Sequence, residues 1–264
     1  MAGGKETPRQ KMIGMMYLVL TALLALNVSK TILDAFVAIE ENTQKSNITQ
    51  VDRGNELISD VSGEIAITKG NENKAKLQKL KRILSQMKQV DVLTAKLVEE
   101  IDQVKLEILR ESGEDVDEYK PDNKETILWE KGKNCTPIRM NLMAVDAKDQ
   151  YDVPMYVIVG DDIKEPTGKG KKIWNDYNDF RSKLLQAVGT YKEGDKSFSI
   201  NPKAINDFKD ISDLKKKVNQ MLKSSKANLR DDEEILSTLY MNLTKPERVN
   251  QNDMEGVHWI GQTF

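Results

Sequence analysis

Residues 73–111 read NKAKLQKLKRILSQMKQVDVLTAKLVEEIDQVKLEILRE, and they decide the fold class. Leu77, Leu80, Leu84, Met87, Val90, Leu93, Leu97, Ile101, Val104 and Ile108 recur at steps of three and four throughout. One face of a 3.6-residue helix repeats at that interval, so the stretch predicts a long amphipathic helix with its seam buried against other helices. Ser112-Gly113 marks the end, because glycine readily takes the left-handed backbone that follows a helix C-terminus.

The same period extends on both sides. Val51, Ile58, Val61 and Ile65 mark one face of a helical stretch over residues 48–67, and Lys69-Gly70-Asn71 reads as its break. Residues 113–170 change character: glycine, proline and acids cluster there. Two short apolar runs, 138–145 and 153–159, could pair as a hairpin, although both faces of 153–159 are apolar and the period does not decide. This region is expected to be a partly extended insertion. Trp174, Tyr177, Phe180, Leu184, Leu185 and Val188 then form a new helical stripe closed by Gly189. Asn201-Pro202 reads as an N-cap and first helical proline. The helix it opens would turn Ile205, Phe208, Ile211, Leu214, Val218, Met221 and Leu222 inward. Asp231 or Asp232 would cap a last short helix carrying Ile235, Leu236, Leu239 and Leu243, stopped by Lys245-Pro246. The tail through Trp259 to Phe264 shows no terminal cap, so the chain reads as ending mid-architecture.

Upstream, residues 12–28 read MIGMMYLVLTALLALNV behind a basic tip of Lys5, Arg9 and Lys11. The run gives about 25 Å of helix, slightly short of a hydrocarbon core of about 30 Å. Lys11 can snorkel at one end. A cleavable signal peptide is the alternative, but Ala25-Leu26-Asn27-Val28-Ser29 is a poor small-x-small site. The helical steps also continue past it at Ile32, Leu33, Phe36 and Ile39. The expectation is a retained anchor that crosses once, with its basic end in the cytoplasm by the positive-inside rule. The whole is then all-α: a single N-terminal transmembrane helix followed by a periplasmic antiparallel helical bundle with a partly extended insertion. In a host with two membranes the parts are a cytoplasmic tip (1–11), the membrane helix and its periplasmic extension (12–37), and a periplasmic helical-bundle domain (40–264).

Composition narrows the function. A formal net charge of −2 and a pI near 5.7 give no general affinity for nucleic acid. Cys135 and His258 are single, which removes an intrachain disulfide, histidine dyads and multi-histidine metal sites. The glycine- and lysine-rich KEPTGKGKK at 164–172 lacks phosphate-loop spacing. Asp161-Asp162 and the acids of 231–234 read as solvated faces or helix starts. No catalytic constellation, cofactor or metal site is expected.

The candidate residues lie in and beside the apolar run. Gly14, Thr21, Ala22, Ala25 and Ser29 form a small-residue stripe that lets another helix approach, and Tyr17 and Asn27 add hydrogen-bonding groups. No Asp or Glu falls between Met12 and Thr31. A proton carrier in the bilayer would therefore belong to a partner. Lys30 and Asp34 are spaced to pair at the far interface. Arg9 and Lys11 serve plain anchoring or, for Arg9, a fixed cation facing a partner's carboxylate and lowering its pKa.

The opening MAGGKETPRQKMIGMMYLVLTALLALNVSK resembles the start of the GldM/PorM family of gliding motility and type IX secretion. The resemblance is carried by residues 1–5, 8–13, 16–19 and 24–29, with Gly14 standing where the family usually has Asn. Looser likeness follows at Tyr151-Asp152-Val153-Pro154 and Trp259. It implies an inner-membrane rotor, a homodimer whose membrane helices stand inside a ring of GldL-like subunits, driven by the proton-motive force. It also implies outer-membrane-associated partners reached through further C-terminal domains, in proteins about twice this length. A membrane-anchored periplasmic sensor or scaffold is the alternative, and an enzyme a distant third.

Overall fold

The computed structural model describes residues 8–68, 73–117, 119–121, 126–148, 150, 152–161, 167–193, 196–199, 208 and 210–224. Within these, the side chains of residues 8, 9, 13, 22–30, 193, 196, 198 and 224 are not described. The architecture is mostly helical with few strands.

Two helices set the frame. Helix α1 spans Pro8–Ile67 without a break, so the apolar run and the 48–67 stretch are one 60-residue rod. Helix α2 spans Lys74–Glu111 and folds back along it, with Lys76 and Glu64 paired at 2.7 Å near the connection. All ten seam positions expected on α2 are buried or half-buried. The α2 C-terminus is a Schellman turn: Glu114 N–H donates to the Leu109 carbonyl and Gly113 N–H to that of Arg110. Gly113 stands at φ +83, a conformation that glycine adopts without steric cost.

The described residues between 114 and 150 form a small module on the C-terminal half of α2. Strand β1 (Leu128–Glu130) pairs antiparallel with β2 (Arg139–Met140), and a 3-10 turn follows at Leu142–Ala144. Leu106 and Leu109 of α2 bury Leu128, Ile138 and Met140. The extended character expected of 138–145 is present only at Arg139–Met140, whose strand partner is β1, and 142–144 turns as a 3-10 helix instead. The 153–159 run is helical instead: α3 spans Asp152–Val159, with Asp152 and Pro154 in its first turn. It packs against α2 on one side and α4 on the other. An eight-residue helix covered on two sides is apolar all round, which erased the helical period from the sequence.

Helix α4 (Lys169–Gly189) runs antiparallel to α2. Lys169 meets Glu107, Lys172 pairs with Glu100 and Asp176, and Gln86 donates to the carbonyls of Ala187 and Val188. Asp176 and then Glu100 hold the Lys172 ammonium above its usual pKa. Gly168, from the glycine-rich KEPTGKGKK segment, lies so close to α3 that a Cβ would collide with the Ile158 carbonyl. This glycine serves helix packing. A hairpin the sequence pattern did not announce, β3 (Tyr191–Glu193) with β4 (Lys196–Phe198), follows α4.

Helix α5 (Ile211–Ser224) packs its apolar face into one core with α4. Leu214, Val218 and Leu222 join Trp174, Leu185 and Phe208 in one core. Asn201-Pro202 lies outside the described residues, but a single helix running from there through Leu222 needs correction. Phe208 and Asp210 are not helical, and Asp210 caps α5 by accepting from the Asp213 N–H at 2.8 Å. An aspartate N-cap ends one chain direction and begins another, so Phe208 reaches the core from a loop. Ile211 is exposed rather than inward. Ile205, the 231–243 helix, Lys245-Pro246, His258 and Trp259 lie outside the described residues, as does the Lys69-Gly70-Asn71 break.

Two buried polar groups are built into this core. Arg181 is 1% exposed; it donates to Asn178 and lies over the rings of Tyr177 and Phe208. Asp102 is also buried, and its Oδ2 accepts the Ile138 N–H at 2.8 Å, tying the β-module to α2. Burial raises the Asp102 pKa against the opposing effects of that N–H and of Lys105.

Leu185 is fully buried, so Leu185→Ala should cost about 2–5 kcal/mol, read by chemical denaturation. Asp102 gives a signed pH dependence. Its folded-state pKa is raised, so its contribution is fully present below the unfolded value and is lost as pH rises through the folded one. The melting temperature of Asp102→Asn should therefore improve relative to wild type as pH is raised from about 4.

Candidate functional site

The candidate site is the N-terminal end of α1. A helix hydrophobic on every face needs an apolar surround, either protein or lipid. Among the described residues of this chain there is none. Described apolar side chains from Met12 to Leu20 range from 55% exposed at Val19 to 71% at Leu18. The first buried α1 side chain, counting from the N-terminus among the described residues, is Val37. Among the described residues no helix is long and apolar enough to cross a membrane. Ile13 and residues 22–28 of the apolar run have side chains outside that description.

The expected site residues distribute as follows. Lys11 and Tyr17 are exposed on α1, and Tyr17 is 68% accessible. A Cβ built on Gly14 meets nothing within 4 Å, leaving an open notch on the helix surface. Thr21 Oγ1 donates to the Tyr17 carbonyl at 2.7 Å, so this hydroxyl is satisfied inside its own helix and presents its methyl side outward. Lys30 and Asp34 stand one turn apart on α1, with Asp34 half-buried. The side chains of Arg9, Ala22, Ala25, Asn27, Ser29 and Lys30 lie outside the described residues, although their backbone is part of α1.

Cys135 sits in a tight turn with Asn134 at φ 45 and itself at φ 66, and the Thr136 N–H closes the turn on the Lys133 carbonyl. Its thiol donates toward the Asp91 carbonyl (3.0 Å) and lies 3.1 Å from Asp91 Oδ1. Burial, and then Asp91, push the thiol pKa up to about 12. A thiol so protonated is a poor nucleophile. It borders an apolar groove of about 500 Å³ between α1, α2 and α4, lined by Val51, Ile58, Met87 and Leu184. Among the described residues no three His, Cys, Asp or Glu side chains group as metal ligands.

The sequence pattern alone passed over one polar residue of consequence, Gln44. It stands on the packed face of α1 in step with Val37, Val51 and Ile58, and a polar residue in register with an apolar face is the signal that marks it. Its amide accepts from Met140 N–H at 3.0 Å and donates to Met140 C=O at 3.1 Å.

No curated protein and no solved structure matches the chain. Residues 31–209 match the family described as GldM N-terminal domain, beginning just past the apolar run and ending between α4 and α5. That match takes in α2, the β-module, α3 and α4 entire, together with the part of α1 beyond the apolar run. With more than half of its length matched, the chain belongs to the GldM family, whose members are components of gliding motility and type IX secretion.

Proposed function

We propose that this chain is the inner-membrane rotor and torque-transmitting subunit of a motor that draws on the proton-motive force for type IX secretion and gliding. In this reading residues 12–28 cross the membrane once, with the N-terminus in the cytoplasm and the bundle in the periplasm. Two copies stand inside a ring of GldL-like subunits, and the bundle passes the motion to outer-membrane-associated components. The observation that carries the proposal is the continuity of α1, whose exposed apolar end and packed aqueous half are one helix.

The division of labour follows from side-chain chemistry. The apolar run contains no acid, so the titrating carboxylate belongs to the ring. Arg9 keeps its charge at any physiological pH and supplies the fixed cation against which that carboxylate is ionised. Protonation of the carboxylate relaxes the pairing. One charge crossing 100 mV releases about 2.3 kcal/mol, enough to shift such a contact. Gly14, Thr21, Ala22, Ala25 and Ser29 admit ring helices closely, and Tyr17 and Asn27 offer them hydrogen bonds. Lys30 and Asp34 hold the periplasmic interface. Two helices related by a two-fold axis cannot occupy equivalent sites in a ring with an odd number of subunits, so in such a ring their contacts alternate, and alternation steps the rotor.

Arg9→Gln should abolish secretion and gliding while the protein stays inserted and folded. Normal secretion by that variant would remove Arg9 from the mechanism. Cysteines at Tyr17 or Thr21 should crosslink to cysteines on the ring protein's membrane helices. A complete scan around the helix with no crosslink would exclude a position inside a ring.

A further inference from the structure

Where α1 is held determines how its motion reaches the domain. Apolar packing between helices is non-directional and resists rotation or sliding only through shape. A hydrogen bond to backbone is directional. After the apolar run, α1 travels about 14 Å from Val28 before Val37 is buried, and about 24 Å before Gln44. The 3-10 turn Leu142–Ala144 packs on α1 in this region.

Strand β2 offers two edges. On one, Asn141 N–H donates to the Ile127 carbonyl across the β1 side at 2.7 Å. On the other, Met140 presents its N–H and C=O together, and the Gln44 amide takes both. The Gln44 amide nitrogen also lies 3.5 Å from Glu40 Oε1. A reversed amide would set oxygen against the Met140 carbonyl, so only one orientation satisfies the edge. Gln44 thus occupies the place of a further strand, but from a helix.

The far side of the same module is fixed to α2. Ile138 N–H donates to Asp102, and the Cys135 thiol meets Asp91. The module is therefore a bracket with directional bonds to both long helices. We propose that the β-module is the clamp through which α1 drives the aqueous domain, with Gln44 as the positioning residue that fixes the azimuth and height of α1. This rests on the rotor reading above.

The test uses the full chain in membranes, with spin labels on cysteines replacing Asn42 of α1 and Asp146 of the module, both exposed; buried Cys135 stays unlabelled. Wild type should give one narrow distance. Gln44→Met keeps side-chain length and helix propensity but removes both bonds. It should broaden that distance and lower secretion roughly tenfold, the size of a lost coupling of this class, with unchanged insertion. Gln44→Glu keeps the acceptor for Met140 N–H and loses the donor, so it should fall between. If Gln44→Met lowers the melting point, the label distances recorded below the transition still decide. Narrow distances in Gln44→Met, or broad distances with full secretion, overturn the clamp. If removing the whole chain leaves secretion intact, the rotor reading fails instead, and the label distances continue to judge the clamp alone.

Discussion

The buried face of α2 is the constraint on which the rest of the molecule depends. Its N-terminal half is covered by α1 and the end of α4, and its C-terminal half by the β-module, α3 and the start of α4. A two-helix hairpin could not bury so wide a face. The intervening 113–170 region and α4 supply the missing cover, and α5 then covers α4. Ion pairs along the α2–α4 contact stand at the solvent edge, where screening keeps their contribution small. They set alignment, while apolar burial supplies the stability.

Continuity of α1 links that core to the candidate site. A helix satisfies its own backbone, so it can pass from an apolar surround to water without exposing unpaired groups. The side chains then decide what each half meets. From Met12 to Leu20 the described apolar positions face outward with no cover from the described residues; past Val37, Val51, Ile58, Val61 and Ile65 are half-buried, and Val51 and Ile58 line a groove shared with α2. The short strands show the opposite problem. Their edges leave N–H and C=O groups that a helix would have paired, and the structure answers with side chains, Gln44 at Met140 and Asp102 at Ile138.

Legibility in the sequence followed the strength of local repetition. Ten positions on α2 and the stripe from Trp174 to Val188 on α4 read correctly because long helices repeat one burial pattern many times. Residues 153–159 did not, because a short helix covered on two sides has no polar face to set its period. The start of α5 was misplaced for a different reason: Asn201-Pro202 is a sound cap signal, yet Asp210 forms the cap that the structure shows. The β3–β4 hairpin carried a Gly194-Asp195 pair between short strands, a turn composition that three-residue strands made easy to overlook.

By itself the sequence determined the helical class, the two long amphipathic helices, the apolar end of α1 and the absence of acids within it. These are properties of composition and period along one element, and no neighbour is needed to express them. Only the tertiary structure decided which polar residues matter to the scaffold. Asp102 lies 36 residues from Ile138 and Gln44 lies 96 from Met140 in the chain. A hydrogen bond across such a distance depends on which strand edge folding leaves open, and no local pattern encodes that. The same holds for the exposure of the α1 end. Its residues announce that they are apolar, but only the packed domain shows that none of the described residues covers them.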